Sequence, residues 1–194
     1  MSSGKTELPE ISFQNQTDMM SWLSLHGDSS PGFWLSIAKK DSGLESITYD
    51  EAMECALCYG WVDSQKKKGN TAFWLQRFTP RGKRSIWSKI NKEKAERLLQ
   101  DGRIMPAGLA VIEAAKANGQ WEKSYEGQKT MEMPEDFANA LEQHAQAKAF
   151  YESLNRTNQY AMLFRIHQAK KQETRAARIE KFIGMLEREE KIYT

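Results

Sequence analysis

Between Thr17 and Gly27 the apolar residues Met19, Met20, Trp22 and Leu23 recur at helical spacing, and Gly27 supplies a stop, so the first ordered element reads as a helix. The period then changes to two. In "GFWLSIAKK", Phe33, Leu35 and Ile37 alternate with Trp34, Ser36 and Ala38, the pattern of a strand with one buried face. "TYDEAMECALCYG" returns to helical spacing, with Ala52, Cys55, Ala56 and Tyr59 as the inward stripe. Thr48 with Glu51 three residues on forms a capping box at its start, and Gly60 ends it with a residue that takes positive φ cheaply. "WVDSQKKK" and "TAFWLQRFTP" follow as two extended arms joined by Gly69 and Asn70, a hairpin stopped by Pro80. Alternation puts Trp61, Asp63 and Gln65 on one face of the first arm and Val62, Ser64 and Lys66 on the other. In the second arm Phe73, Leu75, Arg77 and Thr79 align against Trp74, Gln76 and Phe78.

The remainder is helical. Asn91 is the expected cap of "KEKAERLLQDG", with Ala95, Leu98 and Leu99 inward and Gly102 closing. Pro106 sits in the first turn of a helix running to Gly119. A loop follows, then Pro134 opens "EDFANALEQH" ahead of "QAKAFYESL". Asn155 or Thr157 starts a helix with Tyr160, Leu163, Phe164 and His167 on one face, and Thr174 begins the last, with Ile179, Phe182, Ile183 and Leu186 inward. The predicted class is α+β, predominantly helical: a small antiparallel sheet from about 33–38, 61–67 and 72–79, packed by helices and followed by a helical C-terminal region. Residues 1–10 read as a disordered tail, 11–130 as the α+β region and 131–194 as the helical one, with a seam near 125–134.

Composition adds little beyond class. A chain of 194 residues, 40% apolar and 28% charged, is that of a globular protein able to bury a real core. No run approaches the roughly 18 uncharged apolar residues of a membrane helix, so membrane insertion is not expected. "MSSGKTELPE" has no apolar stretch after Lys5, and the expectation is a cytoplasmic location. Charge changes the picture more. Glu45 to Asp63 holds five acids and no Lys or Arg, whereas Ser64 to Lys94 holds ten Lys or Arg and one acid, Glu93. Two readings stand: a solvated basic hairpin facing an acidic helix, or a surface that receives an anion.

Candidate chemistry centres on the hairpin and its exit. Arg77, Arg81 and Arg84 can offer guanidinium forks to a phosphate or carboxylate. Ser85, Ser88 and Asn91 lie near a helix N-terminus, itself an anion-favouring place, and Trp61 or Trp87 can stack on a flat group. Asp63 either braces the turn by pairing with Arg77 or Arg81 or takes part in the site. The candidate ligand-binding set is therefore Trp61, Asp63, Arg77, Arg81, Ser85, Trp87, Ser88 and Asn91, with a secondary basic patch of Lys170, Lys171, Arg175 and Arg178. Cys55-x-x-Cys58 falls late in its helix, where the dipole disfavours a thiolate, and reads as two reduced core thiols. His26, His144 and His167 are not at metal spacing, and His167 reads as a structural histidine on an apolar face. No metal or cofactor is called for. No P-loop, G-x-S-x-G or dinucleotide fingerprint occurs. Three classes stay open. The leading one is a non-enzymatic module for a small anionic ligand or phosphate group, with another protein as a further partner. Nucleic acid ranks lower, because a pI near 8.4 is below that of a clear nucleic-acid footprint. The third is an enzyme using Asp63 as acid or base and the arginines as an anion clamp.

Several stretches carry a family resemblance: "GFWL", "ALCYGWVDS", "LQRFTPRGKRSIWSKIN", "GRIMPAGLAVIEAAKANGQWEKSY", "MPEDFANAL" and "AKKQETRAARI", in that order from about residue 12 to 190. They resemble the YdeI/OmpD-associated, or bacteriocin-protection, proteins. The resemblance implies a bacterial or archaeal, mostly helical protein with no agreed reaction, linked to resistance to antimicrobial peptides and to an outer-membrane porin. It also attaches a periplasmic location, from which this N-terminus departs. Where relatives often carry an acid in the hairpin before the aromatic arm, this chain has Gly69 and Asn70.

Overall fold

The computed structural model describes residues 7–128 and 130–194. The chain divides into two compact units at Tyr125/Glu126. Most of the expected tail, residues 1–6, lies outside the described residues. Its last residue does not behave as a tail: Glu10–Ile11 form strand β1.

The first unit is built on a four-stranded sheet in the order β1-β2-β4-β3, with β2 at Phe33–Ala38, β3 at Trp61–Lys68 and β4 at Phe73–Pro80. The three longer strands pair antiparallel as expected, and β1 adds a parallel edge, so the sheet is mixed. A two-residue strand is too short to show a period. Helices α1 (Gln16–His26) and α2 (Tyr49–Cys58) contribute to one core with the inward sheet residues Phe33, Leu35, Ile37, Trp61 and Phe78. Asn15 caps α1 through the Asp18 amide, and Thr48 with Glu51 makes the expected capping box on α2. Cys55, Cys58, Met53 and Leu57 are all buried, so α2 is surrounded rather than amphipathic. Helix α3 spans Lys89–Gln100 and α4 spans Pro106–Ala117. The cap of α3 is Ser88, not Asn91; the Asn91 amide donates to Ser88 Oγ at 3.2 Å. The acids of α2 are taken up by α3 and the chain beyond it, not by the hairpin: Asp50 pairs with Lys94, and Glu54 with Arg97 and Arg103.

The hairpin contains a register shift between Asp63 and Lys66. Asp63 opposes Phe78 and Lys66 opposes Gln76, so one extra residue on β3 inverts the alternation. Lys66 therefore shares the face of Asp63, where uninterrupted alternation put it opposite. It lies over the Trp74 ring at 4.1 Å, while Lys67 lies over Trp34 at 4.2 Å and reaches Glu10 at 3.6 Å. These stems cover aromatic surface on the sheet.

The second unit is helical: α5 (Glu135–Glu142), α6 (Ala145–Ser153), α7 (Arg156–His167) and α8 (Gln172–Glu187). Phe137, Leu141, Tyr151, Met162, Ile166, Phe182 and Leu186 belong to its core. Full burial of each such side chain contributes roughly 1.5–3 kcal/mol. The inward face of α7 is Ala161, Met162, Leu163 and Ile166 with Asn158, rotated from the expected one. His167 is exposed and meets the Glu132 carbonyl at 3.2 Å, which corrects its placement on the apolar face. Asn158 is fully buried: its Oδ1 accepts from the Ile192 and Tyr193 amides, and its Nδ2 donates to the Tyr193 carbonyl.

Candidate functional site

The chain leaves β4 at Pro80 and is held at once: the Arg81 amide donates to the Gly60 carbonyl at 3.0 Å. Gly60 itself has φ +75, and a Cβ there would lie 2.9 Å from Val111 Cγ2. Residues 82–85 then close a tight turn, the Gly82 amide donating to Ser85 Oγ and the Ser85 amide to the Gly82 carbonyl. Asn118 at the end of α4 donates to the Lys83 carbonyl at 3.2 Å. A second tie fixes the far side. The Tyr125 amide donates to the Trp87 carbonyl and the Lys89 amide to the Tyr125 carbonyl, both at 2.9 Å. Trp87 is thereby fixed with Trp121 against it, ring centroids 4.7 Å apart.

Arg81 lies on this base. It is only 8% exposed, its guanidinium stacks over Trp87 at 3.7 Å, and Nη1 donates to the Ile86 carbonyl at 3.2 Å. Its Nε and Nη2 are buried and have no acceptor among the described residues. Burial pushes the guanidinium down to about 10, against the opposing pull of Asp63 and Tyr125. Two buried N–H groups without acceptors cost about 1–3 kcal/mol each, which makes this the least satisfied point of the unit.

Asp63 does not form the expected ion pair with Arg77 or Arg81. It accepts a hydrogen bond from the Tyr49 hydroxyl at 2.8 Å. Burial, then the Asp63 charge, raise the Tyr49 phenol above its ordinary value. Tyr125 is likewise raised, first by burial and then by Asp63, while Arg81 and a Ser88 hydrogen bond oppose the shift. The result is a polar group of Tyr49, Asp63, Arg81, Tyr125 and Ser88 in which one cation and one carboxylate interact without touching. The two tyrosines were not candidates from sequence; Tyr49 lies in a helix start and Tyr125 in a loop, and neither position shows a period.

Beside Arg81 is a small cavity of about 120 Å³, bounded by Lys83, Ser85 and Trp87 on the turn side and by Ala110, Val111, Ala114 and the capping Asn118 of α4. That volume suits one phosphate- or carboxylate-sized group, or a few waters. Arg81, Ser85 and Trp87 of the candidate set come together here. Trp61 does not: it is buried 5.5 Å from Phe33 and 6.0 Å from Trp22 by ring centroids, and cannot stack on a ligand. Arg77 lies on the face of the sheet opposite Asp63, since its neighbour Phe78 opposes Asp63 across the ladder. Ser88 and Asn91 are bonded to each other in the α3 cap.

The secondary patch also separates. Arg175 makes a bidentate pair with Asp136, Nε to Oδ2 at 2.5 Å and Nη2 to Oδ1 at 2.8 Å. Arg178 Nη1 donates to the Arg165 carbonyl. Lys170 and Lys171 are exposed. Cys55 and Cys58 are free and buried; burial pushes the Cys55 thiol up to about 12 and the Cys58 thiol upward. Among the described residues no group of three or more His, Cys, Asp or Glu is placed to hold a metal ion. Among them also, no helix is long and apolar enough to cross a membrane.

In comparison with known proteins, residues 11–111 match the model of a family described as Domain of unknown function (DUF8412). Residues 130–189 match that of the family described as Bacteriocin-protection, YdeI or OmpD-Associated. The first match covers the Arg81 loop and the first half of α4, and the second lies within the helical unit. No curated protein and no solved structure matches.

Proposed function

From a chain that belongs to the YdeI or OmpD-associated bacteriocin-protection family through residues 130–189, and to DUF8412 through residues 11–111, we propose a non-enzymatic binding module. It takes a small anionic group in the cavity between the 81–87 loop and α4. Any part it has in bacteriocin protection runs through that binding. The observation that carries the reading is Arg81, which lines the cavity with Lys83, Ser85 and Asn118 and whose Nε–H and Nη2–H are buried without acceptors. A small rotation of the guanidinium toward an entering anion would bring it donors already desolvated, which exchange less water than those of an exposed arginine. The size of the hollow favours a single phosphate or carboxylate group over a nucleic-acid strand. Two free, buried cysteines suit a reducing compartment, which supports a cytoplasmic location.

The test is titration of the full chain with inorganic phosphate and with acetate at constant ionic strength, followed by tryptophan fluorescence. Trp87 lies directly under Arg81 and should respond. Saturable one-to-one binding, weakened about tenfold by Lys83→Gln through loss of one charge-assisted contact, is expected. A response to phosphate and acetate no larger than to chloride would refute it.

A further inference from the structure

A second concavity, of about 470 Å³, lies wholly in the helical unit beside α7 and α8. Its polar lining is Arg165, Arg178, Lys181 and Lys191, four cations with no acid among the lining residues. None of the four is paired with a carboxylate among the described residues. That is uncommon in a chain with almost as many acids as bases. Two of the three acids of α8 are on another side: Glu180 and Glu187 line a separate groove with Ala140 and His144. Helix α8 therefore sorts its charges by face, and one face gathers positive charge around a hollow.

The two arginines are held in place by neutral acceptors. Arg165 Nη1 donates to the Ala161 carbonyl at 2.7 Å and Nη2 to the Tyr193 hydroxyl at 3.4 Å. Arg178 Nη1 donates to the Arg165 carbonyl. These bonds fix the guanidinium planes while leaving the charge uncompensated, and each fork has N–H groups to spare. Lys191 is delivered by the C-terminal segment that Asn158 clamps through the Ile192 and Tyr193 amides. The floor is apolar, made by Phe182, Met185 and Ile192.

We propose that this hollow is a binding site for an organic phosphate, with the phosphate held by Arg165, Arg178, Lys181 and Lys191 and the apolar body lying on Phe182, Met185 and Ile192. Gathering four like charges costs free energy that a divalent anion returns. The apolar floor distinguishes an organic phosphate from the bare ion, since each buried CH₂ equivalent adds about 0.8 kcal/mol.

The experiment is calorimetric titration of the full chain with phenyl phosphate and with inorganic phosphate, sodium chloride holding the ionic strength constant. Expected are a saturable event for phenyl phosphate, about tenfold tighter than for inorganic phosphate, and its weakening by about tenfold or more in Lys181→Gln/Lys191→Gln. It should persist in Lys83→Gln, which touches only the first unit's cavity. Absence of a saturable event, survival in the double variant, loss in Lys83→Gln, or equal affinity for the two probes would each overturn the proposal. Should the double variant not fold, amide shift mapping on the wild-type chain decides. Phenyl phosphate must then move Arg165, Arg178 and Lys191, and movement confined to residues before 126 would overturn it.

Discussion

Replacing Arg81 by Met tests whether the buried guanidinium is kept for stability or for binding. Methionine preserves most of the length of the stem over Trp87 and removes the charge. Two losses follow: the stacking on Trp87, about 0.5–2 kcal/mol, and the charged hydrogen bond to the Ile86 carbonyl, about 1.5–3 kcal/mol. Against these stands relief of two buried N–H groups without acceptors, about 1–3 kcal/mol each. The terms nearly cancel, so Arg81→Met should change unfolding free energy by no more than about 1.5 kcal/mol in either direction. Asp63 is not orphaned, because the Tyr49 hydroxyl stays on it. Urea unfolding followed by tryptophan fluorescence is the appropriate assay. All six tryptophans, Trp22, Trp34, Trp61, Trp74, Trp87 and Trp121, precede residue 126 and report the first unit alone. The same titration repeated in phosphate should show stabilisation of the wild type and none of the variant. A loss of about 3–5 kcal/mol would refute the reasoning, since that is the cost of breaking a buried pair and would make Arg81 the architectural partner of Asp63.

Gly108→Ala should cost about 2–3 kcal/mol, because a Cβ there falls 2.2 Å from the Cys58 carbonyl oxygen; urea unfolding by tryptophan fluorescence measures it. Cys55 and Cys58 should resist a thiol reagent at pH 8 in the folded protein and react fully in urea, since burial raises both thiols; rapid modification of the native chain would contradict this. Arg175 holds the Asp136 carboxyl below its ordinary value, so the pair stabilises the helical unit above the unfolded carboxyl pKa and that contribution fades as pH falls through the lower, folded one. Asp136→Asn should thus lower the melting temperature by far-UV circular dichroism at pH 7 and flatten its fall below pH 4; an unchanged acid limb would count against the pair.

Strand β2, the α2 capping box and both hairpin arms could be read from residues alone, because each combines a period with a local stop signal. Thr48 and Glu51 are three positions apart and meet wherever a helix starts. The bulge after Asp63 could not be read, since "WVDSQKKK" alternates no better with one inserted residue than without. Uninterrupted alternation therefore puts Lys66 on the wrong face. Among site residues, Arg81 stood out by its guanidinium near aromatic neighbours, yet its burial depended on Trp121 and Tyr125 returning from more than thirty residues away. Trp61 failed as a stacking platform for a related reason: an indole before a hairpin looks the same in sequence whether it faces solvent or Phe33. Lys181 and Lys191 could not be associated without knowing that Asn158 draws the chain end back along α7.

That last clamp orders events during synthesis. A chain is made from its N-terminus, and domains generally fold as units in that order. Everything the first unit needs has been made once Tyr125 is clear of the ribosome, so it can fold while the helices after it are still being added. The helical unit has no such freedom. Asn158, sealed in its interior, bonds to Ile192 and Tyr193, which follow it by 34 and 35 residues. Until they arrive, the Asn158 side-chain oxygen lacks both of its amide donors, and its Nδ2 has only Asn155 Oδ1. A chain interrupted before Ile192 would hold a finished first unit and a second one still open to proteases.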